Sequence, residues 1–358
     1  MSRLSTEHRL VTASVATVLA VACLAGCAMA VDSAGAPQPS GTTGAMSTGR
    51  VPTGASGSPS APAASTGPSP AMVASTTGPA RPTATRTGPA PAPIGSAVLF
   101  DDFSYTGPSD PRFTRVWSVR TGRGGPGVQG ASWSPSAITF NGGGAGRTML
   151  MTASTDGTAA KTEHAEIDST RQRFFDGTYA TRIRFTDAPA GPTGAHVYQT
   201  FFTITPLARD NDPSYSEMDF EYLPAGGWGD NRRQLDLTTW YTFSESSGKG
   251  DSRSAVRAQS YDGWHTLVMQ VGAGTVTYFV DGVAVFATDG KYYPRQPMLL
   301  CFNIWYIDGE IGPPGAVRSY RQEVDWVYYV GGHVVAPAAV QAQVDAYRAA
   351  GRTLVDTL

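Results

Sequence analysis

The sequence predicts an all-β domain, an antiparallel two-sheet β-sandwich, preceded by a long segment with no means of building a core. Three observations predict it. From about residue 98 to residue 330 the chain is written in short runs of alternating apolar and polar residues, which place successive side chains on opposite faces of a strand. The runs are separated by Gly, Pro, Asp and Asn clusters, as turns require, and no long helical period interrupts them. All 14 Phe, 7 Trp and 15 Tyr lie at or beyond Phe100, so the earlier residues cannot bury enough large side chains to offset the entropy of ordering them.

Residues 1–27 carry Arg3, His8 and Arg9 ahead of an apolar run over residues 10–24. That run falls short of the roughly 20 apolar residues of a membrane span and reads as an export signal. Its ending, Leu24-Ala25-Gly26-Cys27, resembles a bacterial lipoprotein signal, which implies cleavage before Cys27 and lipidation of its thiol. An ordinary secretory signal cut near Ala28-Met29-Ala30 is the alternative and gives a secreted protein. Both readings place the protein outside the cytoplasm, at the outer face of the cell envelope if the lipid is present. Residues 28–95 are mostly Ala, Gly, Pro, Ser and Thr with a single acid, Asp32, the composition of a disordered tether. Residues 96–335 form the expected folded domain, and the Ala-rich residues 336–358 a peripheral helix or a frayed end.

Within the domain, residues 178–185, 198–205, 217–222, 264–271, 275–280 and 323–330 read as strands. Val280-Asp281-Gly282-Val283 carries the Asp-Gly pair of a type I′ hairpin turn. With 27 basic and 29 acidic residues the net charge is −2, which excludes an electrostatically driven nucleic-acid binder and favours a neutral partner. Cys301 has no partner cysteine in the domain and, within the apolar residues 298–302, reads as a small buried hydrophobe. His164, His196, His265 and His333 have no metal-ligand spacing, and no nucleophile-elbow motif supports a Ser-His-Asp site.

The most informative segment is Ser216-Glu217-Met218-Asp219-Phe220-Glu221-Tyr222-Leu223. On a strand, Glu217, Asp219 and Glu221 share one face while Met218, Phe220 and Tyr222 share the other, which packs inward. Carboxylates about 7 Å apart along a backbone repel one another, and a merely solvated face would interleave Thr, Lys or Arg. Retaining cleavage of a glycosidic bond needs two carboxyl groups about 5 to 5.5 Å apart, one as nucleophile and one as acid/base. The outer two backbones stand about 13 Å apart, so long Glu side chains must lean together over the sugar. The shorter Asp219 can share a proton with Glu217 and push apparent pKa values apart.

This E-x-D-x-E strand, preceded by Gly194-Ala195-His196-Val197-Tyr198-Gln199-Thr200-Phe201-Phe202-Thr203-Ile204-Thr205 and a Pro/Asp-rich loop, resembles glycoside hydrolase family 16, especially its lichenase and xyloglucan-active branch. The resemblance continues through Ala165-Glu166-Ile167-Asp168-Ser169-Thr170, Gly177-Thr178-Tyr179, Leu237-Thr238-Thr239-Trp240-Tyr241-Thr242, Trp264-His265-Thr266, Asn303-Ile304-Trp305 and Glu323-Val324-Asp325-Trp326-Val327-Tyr328. It implies a concanavalin-like jelly roll with a concave sugar-binding sheet, Glu217 as nucleophile, Glu221 as acid/base and Asp219 as assisting carboxylate. Glu166, Tyr241, Asn303 and Trp305 match cleft-lining positions, and Trp228 and Trp240 are further candidates for stacking on a pyranose. Asp325 stands where some members hold a structural calcium ion; no other cofactor is implied. Departures are Asp168 where that branch often has arginine, Thr239 where it has asparagine, and Gln270-Val271 in place of an Asp-Trp pair.

The implied activity is retaining endo-hydrolysis of a β-linked polysaccharide of the β-glucan or galactan class. An envelope transglycosylase using the same acids and a non-catalytic carbohydrate-binding module are the alternatives, and intact Glu217 and Glu221 argue against the module. The expected partner is a polysaccharide, with no nucleic acid, membrane contact only through the lipid, and a monomeric chain.

Overall fold

The computed structural model describes residues 97–142 and 147–358. The signal, Cys27 and the tether lie outside the described residues. The domain consists of two packed antiparallel sheets. The first runs, from edge to edge, through Lys249–Arg257, Gln234–Ser244, Glu217–Leu223, Val197–Ile204, Leu299–Tyr306, Glu163–Ser169 and Trp117–Val119. The second runs through Val283–Asp289, Thr275–Val280, Gly263–Gly272, Gly177–Phe185 and Arg318–Gly331. The first half of Arg318–Gly331 then pairs with Thr148–Thr155 and its second half with Val98–Asp101. Ser132–Trp133 is a short parallel exception beside Glu163–Ser169.

The expected strands are present with ends shifted by a residue or so, except that residues 323–330 belong to a longer strand, Arg318–Gly331. The hairpin turn is as read: Asp281 and Gly282 have φ of 50° and 81°, the left-handed pair that a type I′ turn needs.

Alternation builds the core. Met218, Phe220 and Tyr222 meet Phe201, Leu300, Phe302 and Ile304 on the inner face of the first sheet, and Ile183, Leu267, Met269 and Tyr278 on the second. Phe201 stacks on Phe302 at 5.1 Å between ring centroids, and Phe220 meets Tyr278 edge-on at 5.2 Å. These rings fix the plane from which the acidic side chains of the same strand project the other way.

The tail is partly as expected and partly not. A helix, Pro337–Ala349, opens with proline at its first turn and buries Val340 and Val344 against the outer face of the second sheet, beside Phe100, Ala180, Val268 and Trp326. The end does not fray: Leu354–Asp356 adds a strand to Val98–Asp101, and the Arg173 guanidinium holds Asp356 through bonds of 2.8 and 2.7 Å. Edge pairing and a two-pronged ion pair order what composition alone left open.

Asp325 does not fit a calcium site. Its Oδ1 accepts from Arg348 of the tail helix at 2.6 Å, and Arg182 approaches Oδ2 at 3.6 Å. Among the described residues no group of three or more His, Cys, Asp or Glu could hold a metal ion. Two guanidinium groups already neutralise this carboxylate, which fastens the helix to the sheet.

The central ring of the core gives a direct check. Phe220→Ala removes contacts with both sheets and is expected to cost about 3 to 5 kcal/mol of stability. Urea unfolding followed by tryptophan fluorescence measures it, and a loss below about 1 kcal/mol would contradict the packing described.

Candidate active site

Cross-strand register lays out the face of the first sheet opposite the core as a grid. The row through Glu221 reads Asp236, Glu221, Thr200, Asn303, Glu166. The row through Asp219 reads Thr238, Asp219, Phe202, Cys301, Asp168. The row through Glu217 reads Trp240, Glu217, Ile204, Leu299. Residues opposite one another on paired strands share a face with Cβ atoms about 4.5 to 5.5 Å apart, so the rows are contiguous surfaces.

The three acids are therefore gathered on one face, as the alternation requires, yet they are almost removed from water: Glu217, Asp219 and Glu221 are 5%, 2% and 9% exposed. Burial penalises the charged form and raises all three carboxyl pKa values. Their partners then differentiate them. The Tyr215 hydroxyl donates to Glu217 Oε2, favouring the anion, and burial with this opposing bond leaves Glu217 pushed up to about 7. Trp240 Nε1 donates to Asp219 Oδ2 at 3.0 Å, but burial and the charges of Glu217 and Glu221 outweigh it and push Asp219 well above the carboxylate range. Glu221 is also pushed well up, by burial first, then Asp236, then Glu217. Its Oε2 has no hydrogen-bond partner among the described residues. Burial thus raises both outer glutamates, and at Glu217 the hydroxyl donor Tyr215 opposes that rise.

Glu166, Asn303 and Trp305 occupy the same face. Glu166 is fully buried and committed to its neighbours: Asn303 Nδ2 donates to Oε2 at 3.0 Å, and Arg120 pairs with Oε1 at 3.1 Å. Thr200 Oγ1 donates to Asn303 Oδ1 at 2.7 Å, which fixes the orientation of the amide. Trp305 stacks on Tyr198 at 4.4 Å and 14°. Trp228 reaches the same Tyr198, donating from Nε1 to its hydroxyl at 2.9 Å. Trp240 opens the Glu217 row and packs against Phe243. Tyr241 is not brought into these rows. A bulge between Trp240 and Thr242 interrupts the pairing, and the Tyr241 ring lies under Arg295, at 4.3 Å, and Lys291, at 5.3 Å.

Several residues of the face were not singled out from sequence. Thr200, Asp236 and Tyr198 meet the acids or their neighbours through strand pairing, whereas Tyr215 reaches Glu217 from two residues before it and Arg120 follows the edge strand Trp117–Val119. The alternation Asp236, Thr238, Trp240 on the adjoining strand carried a signal for Asp236, since three residues of one parity must share a face with whatever strand pairs there. Asp168, which departs from the arginine of the lichenase branch, is half-buried beside Cys301 and pushed up to about 8, by loss of water contact foremost and then by Glu166. The histidines are structural: His164 Nε2 accepts from the Tyr306 amide at 3.1 Å, and burial holds its pKa down at about 3, so it stays neutral. His265 and His196 pair with Asp281 and Glu310 at 2.7 and 2.8 Å.

No curated relative matches the chain. Among solved structures, the Bacteroides ovatus mixed linkage glucan PUL GH16 protein, in complex with a G4G4G3G product, is 16% identical over 64% of this chain and 98% of its own, with a TM-score of 0.50. The Bacillus licheniformis beta-glucanase is 17% identical over 65% of this chain and 97% of its own, at a TM-score of 0.48. A glycosyl hydrolase family protein from Mycobacterium fortuitum is 17% identical over 65% and 99%, at 0.47. At 16% identity the likeness to the first of these concerns the fold alone, and it agrees with the two-sheet architecture described above. Residues 130–328, more than half of the chain and inclusive of the whole carboxylate strand, match the glycosyl hydrolases family 16, and the chain belongs to that family.

Proposed function

We propose that the chain is a retaining endo-glycosidase that hydrolyses a β-linked polysaccharide of the β-glucan or galactan class, with a site of the lichenase and xyloglucan-active pattern. The observation that carries this reading is the unequal treatment of two buried glutamates on one strand face. Glu217 receives a hydroxyl donor, whereas Glu221 faces another carboxyl group and keeps an oxygen unpartnered. Binding alone does not call for that division; double displacement does.

In the first step the Glu217 carboxylate attacks the anomeric carbon while Glu221 gives its proton to the leaving glycosidic oxygen. The bond to that oxygen breaks as the glycosyl ester forms. In the second step Glu221, now a carboxylate, takes a proton from water as the water oxygen attacks the same carbon, and Glu217 leaves with the ester electron pair. Asp219, tied to Trp240 between the two, supplies a neighbouring oxygen whose proton state follows Glu217. The Asn303 amide, in the Glu221 row, and Trp305, stacked on Tyr198 in the next row, suit the hydroxyls and the apolar face of a sugar.

Glu217→Gln is expected to lower kcat by at least about a thousandfold while polysaccharide still binds. Initial-rate assays and isothermal titration measure the two, and unchanged cleavage would exclude Glu217 as nucleophile. In the wild type, NMR of the first-formed product should show the starting anomeric configuration, and inversion would exclude the two-step route. Chain-length redistribution without net release of reducing ends would instead mark a transglycosylase.

The pH profile has a worked sign. Activity needs Glu217 ionised, so the acid limb of kcat/KM is set by a group pushed up to about 7. The Tyr215 hydroxyl favours the ionised form. Tyr215→Phe therefore raises the Glu217 pKa and moves the acid limb to higher pH, with the alkaline limb in place; an acid limb that stays put or moves down contradicts the assignment.

A further inference from the structure

Asp236 has no part in the mechanism above, yet it occupies the position on the neighbouring strand directly in register with Glu221. It is 7% exposed, and its Oδ1 has no hydrogen-bond partner among the described residues, the same condition as Glu221 Oε2. The bond recorded at its other oxygen comes from Gln234 Nε2, at 3.2 Å. Two buried carboxyl groups facing each other across a strand pair, each with a bare oxygen, cannot both be ionised at low cost.

The other groups around Glu221 do not relieve this. On its own strand stand Asp219 and Glu217, both acids. On the strand to its other side Thr200 faces it, with Tyr198 next along, and beyond them come Asn303 and Trp305. The basic side chains of the adjoining segments are engaged elsewhere: Arg120 with Glu166 at 3.1 Å, His196 with Glu310 at 2.8 Å, and Arg232 with Asp230 at 2.7 Å. Trp228 brings only its indole, bonded to Tyr198. Among the described residues no arginine or lysine forms an ion pair with Glu221 or Asp236.

We infer that Asp236 is a positioning residue for the acid/base step: its carboxylate, opposite Glu221 across the strand pair, holds the proton on Glu221 until the glycosidic oxygen takes it. The inference rests on the proposed role of Glu221 as acid/base. In the first step the proton passes from the Glu221 carboxyl to the departing oxygen, leaving Glu221 and Asp236 both negative. That repulsion favours the return of a proton to Glu221 from water in the second step, so Asp236 assists both half-reactions without touching the sugar. The environment agrees: burial and then the charge of Asp236 are the two largest influences raising Glu221, and burial raises Asp236 as well, to about 7.

The test uses the full chain with Asp236→Asn, and with Asp236→Glu as the conservative exchange. Removing the charge lowers the Glu221 pKa, so the alkaline limb of kcat/KM on polysaccharide should fall by about one pH unit or more while the acid limb stays. Asp236→Glu should restore the wild-type limb. A β-glycoside with a dinitrophenyl leaving group, which departs without a proton, should be cleaved in the first step by Asp236→Asn at a rate within about twofold of wild type. Asp236→Ser repeats the measurement if the amide variant does not fold. An unmoved alkaline limb, or an equal loss on both substrates at every pH, overturns the inference and leaves Asp236 as a packing residue. Glu221→Ala separates the two layers: formation of a β-glycosyl azide from the dinitrophenyl glycoside in added azide supports Glu221 as acid/base and makes the Asp236 result decisive. No azide product overturns the acid/base reading and this inference with it.

Discussion

Taking Glu217, Asp219 and Glu221 out of water on one strand face is the constraint to which the rest of the domain answers. A buried carboxylate is costly unless it is hydrogen-bonded or protonated, and these three lack an arginine or lysine ion pair among the described residues. The cost is offset in two ways. Tyr215 and Trp240 donate to Glu217 and Asp219, and the remaining charge is reduced by retained protons. A site that alternates between proton donor and proton acceptor would gain from that arrangement, because a carboxyl group with a raised pKa can hold a proton for transfer.

Holding acids in such a place requires a backbone that does not yield. The same strand supplies it from its other side, where Met218, Phe220 and Tyr222 pack into the inter-sheet core. Strand pairing on both flanks then carries fixed neighbours to each acid, Trp240 to Glu217 and both Asp236 and Thr200 to Glu221. Farther out, Glu166, Arg120, Asn303 and Thr200 form a bonded chain across the strands. Glu166 is consumed in that chain, where it and Thr200 orient the Asn303 amide.

What could be read from the sequence and what could not divide along a physical line. The alternation in residues 217–222 is a local property, and period-two patterning alone placed the acids on one face and the rings on the other. Asp281-Gly282 is equally local, since only left-handed residues close a two-residue hairpin with the right twist. Asp236 and Thr200 depend on register between strands joined by irregular loops, and no single segment encodes that register. Tyr241 was displaced by a bulge, one added residue that shifts facing without changing composition. Asp325 was assigned by analogy to a metal, whereas Arg348, on a helix whose docking no pattern in the strand reveals, takes its charge. The closing strand Leu354–Asp356 was missed for a similar reason: three residues become a strand only when an open edge, here Val98–Asp101, accepts them.

The central claim is that the partnered glutamate at the start of the carboxylate strand is the group that bonds to sugar. Incubation with a 2-deoxy-2-fluoro β-glycoside bearing an activated leaving group, followed by peptide mass spectrometry, reads this directly, because the fluorine slows breakdown of the ester more than its formation. The account predicts a fluoroglycosyl adduct on Glu217 with stoichiometric loss of activity. An adduct on Glu221 or Asp219, or turnover of the reagent through an inverted product with no adduct, would contradict it.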